Sequence, residues 1–508
     1  MSRVFFSYMS LFTFAMLCLV MADDFILLFF GWEGVGLISY LLIGFWYQKD
    51  AAVVGGFKAF IVNRVGDIGF LLAIACAIIY FGSTSYTDVF AQLAYKSSEM
   101  IRLGPGLSAS LMTVMTVLLF IGAAAKSAQV PLHVWLPESM EGPTPISALI
   151  HAATMVTAGV FMLCRLSPLL DYSPITLSII LVIGALTALL MGLVALVQCD
   201  IKRVIAYSTL SQLGYMMMGV GSMAYQTGLF HLFTHACFKA LLFLAAGSVI
   251  IGMHHEQDMR RMGGLWKRMP ITWLTFLIGA LALTAVPPFS GFYSKESIIE
   301  AVHHSSVTGA SFAYVCALIG AFVTALYTFR AFLMTFHGQP RFDEKHQVIQ
   351  ESPWVMLFPL VILALPSVGL GLLLVHLGVE EVSSFHLTEL SPAFIGIMCA
   401  FYFYRIHPSA ADRAKRYFGL FYQLLLGQYG FNEINAIIFV SGIRRLGQFA
   451  YRVVDTVWIE KYTIQRISHY FLNISHFIRG KHSGSLGYYA LCMLGGVFIL
   501  IASVCLGI

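Results

Sequence analysis

Apolar runs long enough to cross a bilayer recur from one end of this sequence to the other, and that recurrence decides its fold class. Candidate spans fall near 4–21, 25–47, 57–82, 108–126, 144–167, 176–198, 204–222, 228–252, 271–289, 309–334, 354–377, 391–404 and 486–507. A helix needs roughly 20 residues to cross about 30 Å of hydrocarbon. Lipid offers no partner to a backbone N–H or C=O, and these runs are too continuous for the alternating strands of a barrel. The expectation is an all-α, polytopic transmembrane helical bundle. With 59% hydrophobic and 11% charged residues, the chain holds more apolar surface than a water-soluble core of its size could bury.

The net charge of +5 is spread over interhelical loops, which fits membrane orientation and gives no basic face for nucleic acid. The densest basic loop, His254 to Arg268 with Arg260, Arg261, Lys267 and Arg268, is expected in the cytoplasm, as are Arg413, Lys415 and Arg416. The nine cysteines sit singly, with no CxxC or Cys/His cluster to hold zinc or an iron–sulfur centre. They read as small core residues. Arg3 and the apolar stretch to Met21 imitate a leader, but Ala22-Asp23-Asp24 is a poor cleavage site and another apolar run follows at once. The segment is read as a retained span.

Ionisable side chains inside spans cost about 2.5–3.5 kcal/mol each on insertion scales, so each needs a partner or a task. Glu33 lies in Gly31-Trp32-Glu33-Gly34-Val35-Gly36, where the glycines let a neighbouring helix approach. Burial favours its neutral carboxyl and a nearby cation its carboxylate, so a moving partner can switch its charge; a fixed salt bridge locking two helices is the plainer alternative. Lys126 ends an apolar run. His231, His235 and Lys239 recur at steps of four, a column on one helix face that can act as a proton wire. His151 sits inside another apolar run and Lys295 follows an interruption. A single histidine would more simply be a satisfied core residue, and a metal site would need further ligands at suitable spacing. Asp67 and Lys202 are secondary candidates: Arg64 and Asp67 can pair locally, and Lys202 with Arg203 can snorkel to the interface.

Two interruptions resemble each other: Lys126-Ser127-Ala128-Gln129-Val130-Pro131 through Pro145, and Val286-Pro287-Pro288-Phe289-Ser290-Gly291 up to Lys295. Corresponding breaks in two halves point to internal repeats whose broken helices meet at a midplane ion site; simple proline kinks are the alternative. After Pro408 the chain has no proline. Ile443, Leu446, Phe449, Val453, Val457, Ile464, Ile467, Phe471, Ile474 and Ile478 recur at steps of about three and four, with charges between them. This reads as a long amphipathic helix of some 35–45 residues, roughly 50–70 Å, or as two shorter ones split near Gly447 or Asn473. The division expected is a membrane domain at 1–375, an extension at 376–485 and a terminal anchor at 486–508.

The runs GWEGVGLISYLLIGFWY (Gly31 to Tyr47) and AKSAQVPLHVWLPESMEGPTPISALIHAATMVTAG (Ala125 to Gly159) resemble the antiporter-like subunit L (ND5-type) family of respiratory complex I, NADH:quinone oxidoreductase. DIKRVIAYSTLSQLGYM, FHLFTHACFKALLFLAAGSVI, HHEQDMRRMGGL and SGFYSKESI extend the likeness over essentially the whole chain. The resemblance implies two inverted five-helix repeats with discontinuous helices, and a lateral helix contacting adjacent antiporter-like subunits. It implies proton translocation with Glu33 and Lys126 as an acid and base pair, His151, His231, His235 and Lys239 as a central axis, and Lys295 at the exit. It implies no cofactor and no redox chemistry on this chain, other membrane subunits of complex I and lipids as partners, and a bacterial inner membrane location. Family members usually carry about three helices before the segment that begins here, so the chain is expected to be short at its amino terminus. The alternatives are the large subunit of a multisubunit sodium/proton antiporter and a membrane partner of an inorganic-carbon uptake system or hydrogenase. A self-contained quinone reductase fits worst, since no electron carrier can be placed on these residues.

Overall fold

A computed structural model describes residues 2–104, 106–342, 348–378, 387–482 and 484–507. The chain divides into two compact units, Met1–Tyr429 and Gly430–Ile508. Among the described residues, nine helices are long and apolar enough to cross a membrane. The first unit opens with α1 (Ser2–Val20), α2 (Phe25–Ile43), α3 (Asp50–Cys76, prolonged by a π-helical turn to Phe81), α4 (Leu111–Lys126), α5 (Thr144–Ala152) and α6 (Ala158–Arg165). It continues with α7 (Pro174–Val197), α8 (Ile201–Gly221), α9 (Tyr225–Gly252), α10 (Pro270–Leu283), α11 (Ser290–His304) and α12 (Ala310–Phe336). It closes with α13 (Trp354–His376), α14 (Leu387–Phe401), α15 (Pro408–Tyr417) and α16 (Gly419–Leu426). Residues 379–386, at the start of the expected extension, lie outside the described residues. One short hairpin, Met100–Gly104 with Leu107–Ser110, precedes α4.

Three expectations change. The run at 144–167 is two helices, because the chain leaves helical geometry at Thr154 (φ −120°, ψ −93°). The run at 271–289 stops at Leu283. The helix α11 that follows was not expected as one, since Lys295, Glu296, Glu300, His303 and His304 hide it from a hydropathy average.

The two interruptions close their helices in the same way. At the end of α4 the Gln129 amide bonds the Ala124 carbonyl and the Ala128 amide bonds that of Ala125; at the end of α10, Val286 bonds Leu281 and Ala285 bonds Ala282. Each is a Schellman cap with a left-handed residue at its centre, Ala128 (φ 46°) and Ala285 (φ 59°). Alanine pays an energetic penalty there that glycine avoids, so the geometry is held by the surrounding packing rather than by local preference.

Loops sort to two ends. At one, Lys202 bonds the carbonyls of Met140 and Gly142, the Met259 amide bonds Cys199, and Arg341 bonds Met259. That end carries Lys49, Arg203, Arg260, Arg261, Lys267 and Arg268, and Lys415 lies there with Val197 and Tyr404 in a cavity of about 350 Å³. At the other, Arg165 bonds Ala22, the Phe25 amide bonds Thr84, and Tyr225 bonds Asp171. The span α1 begins at the basic end, where Val4 and Tyr8 meet Tyr40 and Phe45. Its counterpart α7 begins at the opposite end, where Ser173 meets Thr113. The set α1 to α6 and the set α7 to α12 therefore run in opposite directions.

The second unit is helical without interruption from Phe431 to Lys481, passing Gly447 and Asn473. Its turns widen to π geometry over Ala436–Ser441 and Ala450–Gln465, so the steps of three and four that predict an ordinary helix hold only in parts. A terminal span, Leu486–Leu506, ends it.

Candidate functional site

The first half of the site grows from tight packing of α2. A side chain at Gly31 would meet the Leu19 Cα of α1 at 2.7 Å, so glycine there lets the two helices touch. A Cβ on Gly36 would lie 2.6 Å from Lys126 Nζ: that glycine clears the space the amine occupies. Lys126 ends α4 almost wholly buried, 5.5 Å from the centre of the Trp32 ring, and its Nζ has no hydrogen-bond partner among the described residues. The ring contributes roughly 0.5–2 kcal/mol, less than the cost of a lone intramembrane cation. The ammonium form therefore depends on Glu33 and Asp67, whose charges reach it. The acid and base in direct contact are Glu33 and Arg64, not Glu33 and Lys126. Asp67 lies 3.9 Å from Arg64 and accepts a 2.7 Å bond from the Trp32 indole.

The middle of the bundle holds His151 at zero exposure. Ser139 donates to the Leu136 carbonyl at 2.5 Å, so its oxygen accepts from His151 Nε2 at 2.9 Å, and Nδ1 is left as a buried acceptor. Trp135 packs against this ring and donates to the Ala125 carbonyl at 2.9 Å, one residue before Lys126. Lys202 does not snorkel. It is 3% exposed and caps the turn before α5 by donating to Met140 (2.6 Å) and Gly142 (2.9 Å), because the carbonyls freed by the first break offer it stronger partners than the interface does. Glu138 in the same turn lies 3.7 Å from both Lys58 and Arg203.

The column on α9 is present. The ring centres of His231 and His235 stand 6.2 Å apart, and each member of the column bonds groups on neighbouring helices. His235 Nδ1 donates at 3.1 Å to the Ala152 carbonyl, freed where α5 ends. Lys239 donates to Ser208 of α8, which passes its own hydrogen to Ile205 at 2.7 Å. His231 meets Gln212 of α8 at 3.2 Å and Ser294 of α11 at 2.9 Å. Next to Ser294, Lys295 is 1% exposed, with its amine 4.7 Å from the Tyr215 ring centre and no hydrogen-bond partner among the described residues.

Lys126, His151, His231, His235, Lys239 and Lys295 are thus all buried inside the bundle, on α4, α5, α9 and α11, with Asp67 buried on α3 and Glu33 part-buried on α2. Sequence reasoning missed Ser139, Ser208, Gln212, Ser294 and Glu296, the last 5% exposed. These are ordinary helix residues by composition; the signal that could have found Ser294 and Glu296 is their place beside Lys295 after the second break.

A family model described as NADH:quinone oxidoreductase/Mrp antiporter, TM, matches residues 22–321, and one described as NADH dehydrogenase subunit 5 C-terminus matches 327–504. NADH-quinone oxidoreductase subunit L of Neisseria meningitidis serogroup B is 47% identical over 98% of this chain and 81% of its own length. NADH-ubiquinone oxidoreductase chain 5 of Dictyostelium citrinum is 50% identical over 73% of this chain and 55% of its own. Among solved structures, a chain of the Mrp complex from Dietzia sp. DQ12-45-1b superposes with a TM-score of 0.68 at 23% identity; it is matched over 99% of this chain, which spans about half of that chain's length. These matches place the chain, a multi-pass membrane protein, in the subunit L and chain 5 family of NADH-quinone oxidoreductase.

Proposed function

We propose that this chain carries protons across the membrane as a subunit of an NADH-quinone oxidoreductase, by way of the ionisable groups from Glu33 to Lys295. The observation that carries the reading is the burial of Lys126, Lys239 and Lys295 at 1% exposure or less, two of them with unpartnered amines. Fixed structural lysines would be paired, since an unpaired cation in hydrocarbon costs more than packing returns. An amine that alternates between ammonium and free base need be paired in only one of its states.

Glu33 and Asp67 hold the proton of Lys126 while Arg64 is elsewhere, and release it when Arg64 neutralises them. His151 and His235, each with one nitrogen committed to a fixed partner and the other bare, take and pass a proton in the middle. Lys239 and Lys295 repel each other, so loading one empties its neighbour. Quinone reduction takes place on other subunits, and its energy arrives as a change in the Glu33 cluster, which lies at the rim of the bundle. By the positive-inside rule the end with Lys202, Arg260 and Lys415 faces the cytoplasm, in a bacterial inner membrane. The exposed apolar side chains of the long helix, among them Leu446, Phe449, Trp458 and Phe471, meet lipid and the adjacent antiporter-like subunits.

The test uses the intact complex in proteoliposomes. Lys126→Ala and Glu33→Ala should lower proton pumping about a hundredfold or more, the lower end of what a proton-transfer group contributes, while NADH oxidation by an artificial acceptor is retained. Pumping at the wild-type rate in both variants rejects the reading. Sodium uptake in place of proton uptake, or isolation of the chain with no flavin or iron–sulfur subunits, supports the antiporter reading that the Mrp likeness raises.

A further inference from the structure

Ser294, Thr234 and His231 make a closed fork between α9 and α11. Ser294 Oγ lies 2.9 Å from His231 Nδ1 and 2.7 Å from Thr234 Oγ1, and Thr234 Oγ1 lies 3.1 Å from the His231 carbonyl oxygen. All three residues are 1% exposed or less, so no bulk water competes for these bonds. A serine hydroxyl has one hydrogen and cannot give it to both neighbours.

Two arrangements satisfy the ring. In the first, Ser294 donates to Nδ1, and Nε2 carries the hydrogen and donates to Gln212 Oε1 at 3.2 Å. In the second, Nδ1 carries the hydrogen and donates to Ser294, which turns its own towards Thr234. Gln212 then rotates its amide to present an N–H to the bare Nε2; its nitrogen has no partner among the described residues to hold it back. Both arrangements keep both ring nitrogens and the Ser294 hydroxyl bonded and leave one end of the Gln212 amide bare, so they lie close in free energy.

We infer that Ser294 is a hydroxyl switch that sets which nitrogen of His231 carries hydrogen, and is thereby a positioning residue for proton passage between α9 and α11. While Ser294 donates to Nδ1, that lone pair is occupied and the nitrogen is closed to a proton. When Ser294 turns to Thr234 while Nε2 still carries the hydrogen, the Nδ1 lone pair is free to take a proton. The ammonium of Lys295, the buried residue next to Ser294, then gives up one proton to Nδ1 and becomes a free amine, and the imidazole becomes imidazolium. Nε2 then gives its proton to the bare Nε2 of His235, whose ring centre lies 6.2 Å away; His231 returns to neutral and His235 becomes the imidazolium. One proton has passed, and the ring has changed tautomer.

This inference rests on the proton pathway proposed above, and the experiment separates the two. The intact complex is reconstituted with Ser294→Ala, Ser294→Thr, Thr234→Val and His231→Ala in turn. Protons pumped per NADH and the ratio of pumping rates in H2O and D2O are measured. Ser294→Ala is expected to lower pumping roughly three- to tenfold, the factor a single hydrogen bond controls, and to change the isotope ratio. Ser294→Thr should restore both, and Thr234→Val should act in the same direction by less. If His231→Ala pumps as wild type, the pathway itself is wrong. If His231→Ala is impaired while Ser294→Ala is not, the switch alone is wrong. Should Ser294→Ala fail to assemble, Thr234→Val decides: wild-type pumping and isotope ratio overturn the switch, and a reduced rate with an altered ratio supports it.

Discussion

The two halves of the bundle share a helix break and differ in how they hold polar groups. Around Lys126 the partners are full charges. Glu33, Arg64 and Asp67 crowd together, and the Glu33 and Arg64 side chains are 21% and 42% exposed. Around Lys239 and Lys295 the neighbours are mostly hydroxyls, an amide and an imidazole at or below 1% exposure, with one carboxylate, Glu296 at 5%, next to Lys295. The difference follows from dielectric. A cluster near the rim can be screened or approached by another charged protein, so charges are tolerable there and sensitive to what approaches. Deep in the bundle a second charge is expensive, and neutral groups that exchange hydrogen bonds do the same task.

Replacing Arg64 is the sharpest way to break that contrast. Arg64→Gln leaves Glu33 and Asp67 without a cation in ion-pair range among the described residues, while Arg64→Lys keeps the charge. Pumping by the assembled complex is expected to fall about tenfold with Gln, as one pairing worth roughly 1.4 kcal/mol is lost, and to stay within about twofold of wild type with Lys. Equal pumping by the two variants would mean that charge at this position does not matter.

A smaller effect tests geometry without touching any ionisable group. In Gly36→Ala the added methyl would stand 2.6 Å from Lys126 Nζ, too close for either to stay. The lysine side chain is flexible, so the amine should shift rather than the helix, at a cost of about 1–3 kcal/mol. A fewfold loss of pumping with unchanged NADH oxidation is expected. A structure of the variant with the amine undisplaced, together with full activity, would show that Gly36 does not position Lys126.

How much of this was legible beforehand varies by region, for physical reasons. Spans such as Pro174–Val197 were plain, because lipid demands long apolar stretches and leaves them in the sequence. The helix α11 was not, since a helix that faces a polar interior need not look apolar. The column of His231, His235 and Lys239 was visible from its spacing, but spacing fixes only which face residues share. Their partners, Ala152, Ser208, Gln212 and Ser294, come from three other helices and depend on packing that no local pattern records. The direct ion pair of Glu33 has the same origin: the family resemblance implies Lys126 as its base, and the crossing of α2 and α3 adds Arg64 in contact with it. Lys202 reads as an interfacial residue by position and is a buried cap because the break next to it frees two carbonyls.

The smallest effect concerns the basic loop between α9 and α10, far from the buried ionisable groups. Glu256 accepts from the Asp258 and Gln257 amides at 2.9 and 3.0 Å and pairs with Arg261 at 2.9 Å. Asp258 binds Arg260 through Nη2 at 2.6 Å and accepts from its amide at 2.9 Å. The backbone amide of Asp258 holds the Glu256 carboxyl below its ordinary 4.5, and the Arg260 side chain holds that of Asp258 below its ordinary 3.8. Both groups bind protons less readily folded than unfolded, so their stabilisation is present above those ordinary values and is lost as pH falls through the lower folded ones. Arg260 and Arg261 are 65% and 73% exposed, so solvent and salt weaken the pairs and the effect stays local. Hydrogen exchange at 256–261, corrected for intrinsic rates, should be flat between about pH 5 and 8 and rise only below about pH 4. A loop that loosened between pH 6 and 5 would show a sensitivity that its exposed, hydrogen-bonded carboxylates should not have.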